Sequence, residues 1–436
     1  MSLVPNPSES KSALDQVDTV LPRKPRPTLS VLHLPRNVYL LLFFTLGKGF
    51  QLTIATLNVN YYAHSLGYRP DFIGLLSAMP AAGALISAIP TGMLADRIGR
   101  KPVLIASAIL TPLFLAGIGL GTSPYWLLGC AFMQGVVSNA YWVTNLPLLT
   151  ENTTEQQRVG VFALNSFLLL GVGAFGNLLG GAIPEFVAGL MNVSPASTIP
   201  LRWGVLAAAS STFIFGLPLW FLREPKRHHG VISRTGRSAP LKLKEKLPVP
   251  LFAKLLVPDL LFTIGEGAVV ALIQLFFILR FMLLPGPLGI IFTISGFAGG
   301  LFSLTAPLFV HRWGKLRIIT TVMYLSAPLM ILIGYAPTLW LAIAGEYTRS
   351  FMRTLIEPVY AAFAMEQVSD RYRATLSGFY SVTWSIGFSV GPAAAGWLQT
   401  NVSLSTSFVF GACCLTLSAS LLLFFFGRSR PSPALS

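Results

Sequence analysis

Charge is what this sequence has least of. Asp, Glu, Lys and Arg together make up 11% of its 436 residues, under half of the roughly 25% usual in a globular domain. Negative charge is the scarcer sign, with 16 acidic residues against 31 basic ones. So few charges cannot cover the surface of a soluble fold, which excludes a soluble enzyme, a disordered scaffold and a secreted disulfide module. Cysteine is almost missing: Cys130, Cys413 and Cys414 all lie in apolar runs, offering neither a disulfide framework nor a zinc site. No phosphate-binding loop and no H-E-x-x-H or nucleophile–base set is present, which argues against an ATP-driven pump, and no enzymatic activity, cofactor or metal is expected. What fills the chain is apolar: 53% hydrophobic residues and a mean hydropathy of +0.66.

A bilayer core about 30 Å thick takes roughly 20 apolar residues per helix. Twelve such runs occur, at 37–63, 71–95, 102–121, 125–149, 159–183, 202–222, 256–282, 287–310, 316–335, 337–364, 374–398 and 404–427. They lack the alternating polarity of barrel strands, so the expected fold class is an all-α polytopic membrane protein with twelve transmembrane helices. Lys and Arg gather on alternate loops, from Arg36 and Arg97 through Arg158, Arg223, Lys254, Arg317 and Arg373 to Arg430. The opposite loops hold little beyond Arg69, Arg202 and Arg280. This asymmetry places both termini and the 223–255 loop in the cytoplasm of a cell with the protein in its plasma (inner) membrane. Charges spread over every second loop form no nucleic-acid footprint. Residues 1–36, without an apolar stretch before a cleavage site, read as a disordered cytoplasmic tail, and 428–436 as a second short tail.

The chain repeats itself halfway along. Phe44–Gly49 (FTLGKG) matches Phe262–Gly267 (FTIGEG) at a separation of 218, and Gly74/Gly289, Gly99/Gly314, Gly176/Gly391 and Gly181/Gly396 each stand 215 apart. Two six-helix bundles, 37–222 and 256–427, joined by a basic 223–255 linker, are the arrangement of alternating-access carriers.

The loop after the second run reads Gly92-Met93-Leu94-Ala95-Asp96-Arg97-Ile98-Gly99-Arg100-Lys101. It resembles the signature G-x-L-a-D-r-x-G-r-k of the major facilitator superfamily, and with the spans and the repeat the resemblance covers about 37–427. Gly92 would allow a close helix approach. The resemblance implies that Asp96 lies against the positive N-terminus of helix 11, an interaction worth about 0.3–1 kcal/mol, and stabilises the outward-facing state. Arg97, Arg100 and Lys101 are expected to pair with acids or lipid phosphates. In the second copy His311 replaces the acid, so no matching lock is expected there. Helix 11 carries Gly391, Pro392 and Gly396, small residues for close crossing and a proline that favours a kink. Proton-linked exporters of the family carry a related G-P motif in helix 5, where this chain has Asn177.

Charged side chains inside spans cost roughly 2.5–3.5 kcal/mol each and usually face the bundle interior or water. Six stand out: Lys48, Glu266, Glu346, Arg349, Arg353 and Glu357. The last four fall within a stripe about 80° wide on one helix, with spacings that allow Glu346–Arg349 and Arg353–Glu357 pairing. Lys48 and Glu266 occupy matching repeat positions, and the resemblance, in which helices 1, 4, 7 and 10 line the cavity, puts all six on the transport path. They form either a static network or one whose partners exchange during transport, with Lys48 and Glu266 coupled across the cavity and Glu346 as the coupling acid. Gln134, Asn139, Tyr141, Trp142 and Asn145 on helix 4 are the candidate substrate contacts. Asp71 and Asp259, near span ends, read as caps or interfacial residues. The expected function is proton-coupled efflux of a small organic molecule by a monomer in a lipid bilayer. An organic-anion importer, a lipid translocase and a non-transporting receptor are the alternatives.

Overall fold

The computed structural model describes residues 34–223, 248–303 and 313–427. The tails 1–33 and 428–436, most of the linker (224–247) and 304–312, which includes His311, lie outside the described residues. Among the described residues twelve long helical runs follow one another. They are α1 (Arg36–Ser65), α2 (Pro70–Ile98), α3 (Arg100–Leu120), α4 (Pro124–Glu151), α5 (Glu155–Ser166, then a π turn at Phe167–Val172, then Phe175–Met191) and α6 (Thr198–Gly216 with a 3-10 turn at Leu217–Phe221). There follow α7 (Val249–Val270, then Ile273–Phe281), α8 (Pro285–Ser303), α9 (Lys315–Tyr335), α10 (Leu339–Glu366), α11 (Asp370–Asn401) and α12 (Thr406–Phe426). α7 starts at Val249 rather than near 256, because Pro248 and Pro250 fit the free N–H positions of a first turn and the basic Lys254 is exposed.

Nine of these runs among the described residues are long and apolar enough to cross a membrane; α4, α10 and α11 are not. Those three are also long, 28, 28 and 32 residues; α4 and α10 carry nine of the polar and aromatic candidates named above, while Lys48 and Glu266 lie on the apolar spans α1 and α7. α1–α6 pack among themselves, as do α7–α12, and the two sets meet chiefly where α2 crosses α11 and α5 crosses α8. The side from which α1 enters is called the near side here, and the opposite one the far side. On the near side a one-residue link joins α2 to α3 at Gly99 (φ +101°), and Gly314 (φ +78°) caps the start of α9, each in a backbone region that L side chains rarely adopt.

The crossings are made by the repeat's own glycines. A Cβ on Gly74 would lie 2.3 Å from Pro392 O and 2.9 Å from Gly396 Cα, and one on Gly181 would lie 2.4 Å from Pro285 O with Gly289 across from it. Each glycine of the first half therefore packs on the repeat partner of the other: Gly74 on Gly396, Gly181 on Gly289. Both contacts lie toward the far side, where Tyr61 donates to Leu283 O (3.0 Å), Asn60 to Ala271 O (2.9 Å) and Asp71 N to Thr400 Oγ1 (2.8 Å). Pro392 stays inside one continuous α11, and its carbonyl forms part of the crossing. Gly92 differs from these: an added methyl would meet nothing nearer than Val143 at 4.0 Å, so it makes no close approach in this conformation.

Candidate functional site

The centre of the second set is an ion cluster. Arg349 is 2% exposed and Glu266 and Glu346 barely more. The Arg349 fork donates Nε and Nη2 to the two oxygens of Glu346, at 2.9 and 3.2 Å, and Nη1 to Glu266 Oε2 at 3.0 Å. The i,i+3 spacing on α10 supplies the first pair, and the second ties α10 to α7. A bidentate guanidinium–carboxylate pair satisfies charge and geometry together, which offsets the cost of burying three charged groups. Arg353, one turn further along, stands 3.9 Å from the same Glu266 oxygen and 3.6 Å from Glu357, which is more than half exposed. The cluster thus runs from a dry core toward an open edge.

Lys48 does not join it. Its side chain is 1% exposed, and Nζ donates to Gln51 Oε1 and to Ser138 Oγ, each at 2.6 Å, with no ion pair among the described residues. The expectation that Lys48 and Glu266 pair across the cavity is therefore corrected. Each is satisfied inside its own helix set, Lys48 between α1 and α4 and Glu266 between α7 and α10.

The α4 candidates divide by face. Tyr141, 1% exposed, donates to Thr45 Oγ1 at 3.1 Å, and Asn145 donates to Tyr141 Oη (3.2 Å) and to Asn165 Oδ1 of α5 (3.0 Å). These two close a polar cluster within the first set and are not open to a ligand here. Gln134 and Asn139 are buried, and Asn139 Nδ2 has no hydrogen-bond partner among the described residues. Trp142 is 49% exposed and stands edge-on to Tyr141, 5.2 Å between centroids. It is the one member of the five that presents a large accessible surface.

On the near side Asp96 and Arg97 are exposed in the last turn of α2, and Lys101 donates to Trp220 O at 3.2 Å. Arg100 pairs with Glu151, and Lys315 pairs with Glu366. Both residues of the second pair lie 215 positions after those of the first, so the repeat conserves an ion pair that residue-by-residue inspection missed. A comparison of acids as well as glycines at that separation would have found it.

Two further features had no signal in the pattern of apolar runs. The π turn of α5 lies against α1 beside Lys48, where a Cβ on Gly49 would fall 2.5 Å from Leu169 O. Its exit carbonyls are taken up from both sets, by Thr53 of α1 (to Gly173 O, 2.8 Å) and Thr293 of α8 (to Ala174 O, 3.3 Å). The second feature is Asp259. Far from capping a span, it sits ten residues inside α7, 7% exposed, in contact with the Thr383 hydroxyl of α11. The early start of α7 moves this residue from the expected interface into the bundle. Asp71, by contrast, lies in the first turn of α2 and accepts from Phe72 N at 2.7 Å.

Among solved structures the chain is similar to a bacterial homolog of the human lysosomal transporter Spinster in an inward-facing, unoccupied conformation. The TM-score is 0.76 over 91% of this chain and 98% of that one, at 15% identity. It is similar also to a D-xylose–proton symporter, with a TM-score of 0.69 over 88% and 96% of the two chains and 15% identity. At such identities the likeness is one of fold. Among curated proteins, multidrug resistance protein MdtG of Salmonella arizonae is 31% identical over 163 residues, 36% of this chain. The chain spans only 40% of the length of that relative. A family model described as Major Facilitator Superfamily matches residues 39–285 and 260–436. Twelve helical runs in two repeats, glycine-sealed crossings and buried central charges thus have a family: the chain is a member of the Major Facilitator Superfamily, a multi-pass membrane transporter family.

Proposed function

We propose that this protein is a secondary active carrier that exports a small organic molecule by alternating access in exchange for protons. The observation that carries the reading is the pairing of two features: a far side closed by two glycine crossings, and charged groups of both helix sets buried behind it. Intramembrane charge is costly, and where it is kept it marks a path or a relay. Likeness over part of the chain to a protein named for multidrug resistance supports export. With Lys- and Arg-bearing loops on the near side, that side faces the cytoplasm of a cell with the carrier in its plasma membrane. The conformation is then one with its outer side sealed, and the carrier works as a monomer. In this reading Asp96 and its basic neighbours govern closure of the near side, and Trp142 with the open edge at Arg353 and Glu357 meets the substrate.

Flux in proteoliposomes of ethidium, an organic cation, and p-aminohippurate, an organic anion, with and without a pH gradient, tests the reading. Movement of either probe that responds to the gradient supports it; no movement of either under any gradient overturns it. Lys48 favours a second reading. A buried cation held only by neutral groups suits the carboxylate or phosphate of an organic anion, and in that case p-aminohippurate moves, ethidium does not, and Lys48→Gln abolishes the flux.

A further inference from the structure

Asp259, an acid set aside by the sequence reading, is buried and meets a single hydroxyl among the described residues. It lies on the face of α7 that also bears Thr263 and Glu266; seven residues separate it from Glu266, about 20° of rotation and about 10.5 Å of rise. Glu266 and Glu346 share Arg349, whereas Asp259 enters no ion pair among the described residues. Its surroundings are neutral. From α10 comes Tyr360, whose hydroxyl donates to Leu255 O at 3.0 Å. From α11 comes Tyr380, whose hydroxyl is buried and whose ring meets Tyr360 edge-on at 5.8 Å. α12 presents Ser418, which donates to Pro258 O at 2.7 Å, and further along Cys414 beside Gly265. Glu266 is the next charged residue along α7 toward the far side. An ionised carboxylate buried among neutral groups is costly; the neutral acid is not.

Thr383 distinguishes the two forms. Besides touching Asp259 Oδ2, its Oγ1 lies 2.9 Å from the carbonyl oxygen of Tyr380. A hydroxyl has one hydrogen and two lone pairs. With Asp259 ionised, that hydrogen turns to the carboxylate and the bond to Tyr380 O is given up. With Asp259 protonated, the acid O–H donates to Thr383 Oγ1, Thr383 donates to Tyr380 O, and both contacts are made at once.

The geometry points to Asp259 as a proton-binding site between α7 and α11, where the proton of the transport cycle is held and Thr383 relays its presence to the α11 backbone. Its role in transport rests on the proton-coupled reading above; its role as a proton site does not. One proton is gained at Asp259 Oδ and later lost from it; no other covalent bond changes, and only the Thr383 hydrogen bonds rearrange. α11 is also one of the four helices that make the far-side crossings, so the switch acts on an element that must move for the far side to open. Glu346 and Glu266, clamped by Arg349, then serve as a fixed charge cluster.

The proton site is read by infrared difference spectroscopy of the full-length protein in lipid, acidic minus alkaline pH. The carbonyl stretch of a neutral carboxylic acid is expected in the wild type, in Glu266→Gln and in Glu346→Gln, and its loss in Asp259→Asn. Thr383→Val should move the pH midpoint of the band while Thr383→Ser restores it. A band that persists in Asp259→Asn, or that vanishes in Glu346→Gln, overturns the assignment. The transport role is read separately with ethidium. The Asp259→Asn amide can donate to Thr383 as the acid does, so counterflow at equal pH should survive while gradient-driven accumulation is lost. If accumulation survives in that variant, Asp259 is not the coupling acid. If the wild type shows the band at Asp259 but no gradient-driven flux, the proton-coupled reading falls and the proton site stands.

Discussion

The two halves of this carrier place opposite charges at one position of the same frame. Lys48 and Glu266 stand 218 residues apart in matching motifs, and their contacts on α4 and α10 match too: Ser138, which receives Lys48, is 215 residues before Arg353, which faces Glu266. Gln134 stands the same distance before Arg349. The first half meets its cation with neutral side chains; the second meets its anion with two arginines and adds a second acid. One helix–helix contact has thus been kept as geometry and inverted as chemistry. The frame around it is stiffly conserved, down to the glycines of the crossings and the ion pairs Arg100–Glu151 and Lys315–Glu366. Symmetry resides in the packing, and asymmetry in what the packing encloses.

Substitution at the matched pair Arg349 and Gln134 should break this comparison hardest. Arg349→Met strands two buried carboxylates and should cost about 3–5 kcal/mol, whereas Gln134→Met removes no charge and should leave the protein folded. Thermal unfolding of the two variants in the same detergent measures the gap, and equal losses would show that the second half's charge cluster carries no special weight. Next in size is the frame itself. Gly74→Ala puts a methyl 2.3 Å from the Pro392 carbonyl, an overpacking worth about 1–3 kcal/mol, and should open the far side to thiol reagents at cysteines introduced there. Gly92→Ala, with open space around its Cβ, should change neither stability nor labelling.

The near-side ion pairs should matter less. Their side chains are between 23% and 57% exposed, and exposed pairs contribute about 0.2–1 kcal/mol. Glu151→Gln and Glu366→Gln should therefore lower stability by small and similar amounts, and a clear difference between them would end the equivalence drawn from the repeat. The smallest effect is a coupling expected to be near zero. Because Lys48 and Glu266 have separate partners, the unfolding free energies of Lys48→Gln and Glu266→Gln should add within about 0.3–0.5 kcal/mol. A larger deviation would restore their direct interaction.

Much of the frame could be read from the amino acids. Runs of apolar residues gave the helices, a constant separation gave the repeat, and the i,i+3 spacing of Glu346 and Arg349 gave their ion pair. These are properties of a single helix or of chain periodicity, which a sequence displays directly. Partner choice across helices is not of that kind. Lys48 was matched to Glu266 because opposite charges in equivalent positions invite it, but equivalent positions in a repeat belong to different bundles, and each bundle satisfies its own. Asp259 was misplaced because an apolar run marks where a helix becomes greasy rather than where it begins; α7 starts earlier, at two prolines. Tyr141 and Asn145 were expected to face a ligand because polar groups in a span need a partner, and Thr45 and Asn165 supply one inside the same bundle. The π turn of α5 has no compositional mark, since it needs only one carbonyl out of register, and that carbonyl shift is answered by threonines from two other helices.

The single-residue link at Gly99 has a mechanical consequence. One residue between two long helices is a hinge with almost no slack, so α2 and α3 behave as a bent lever and not as two rods. α2 bears on α11 at its far end, and exposed apolar side chains on α3 such as Leu113 and Leu120 face outward. Because α3 is packed on α4 and α6, a tilt of α2 about the Gly74 fulcrum carries that flank of the first set sideways through the surrounding hydrocarbon. Lateral pressure in the bilayer becomes a load on the turnover stroke, so that stiffening the lipid should slow the carrier even where every polar contact described above is intact.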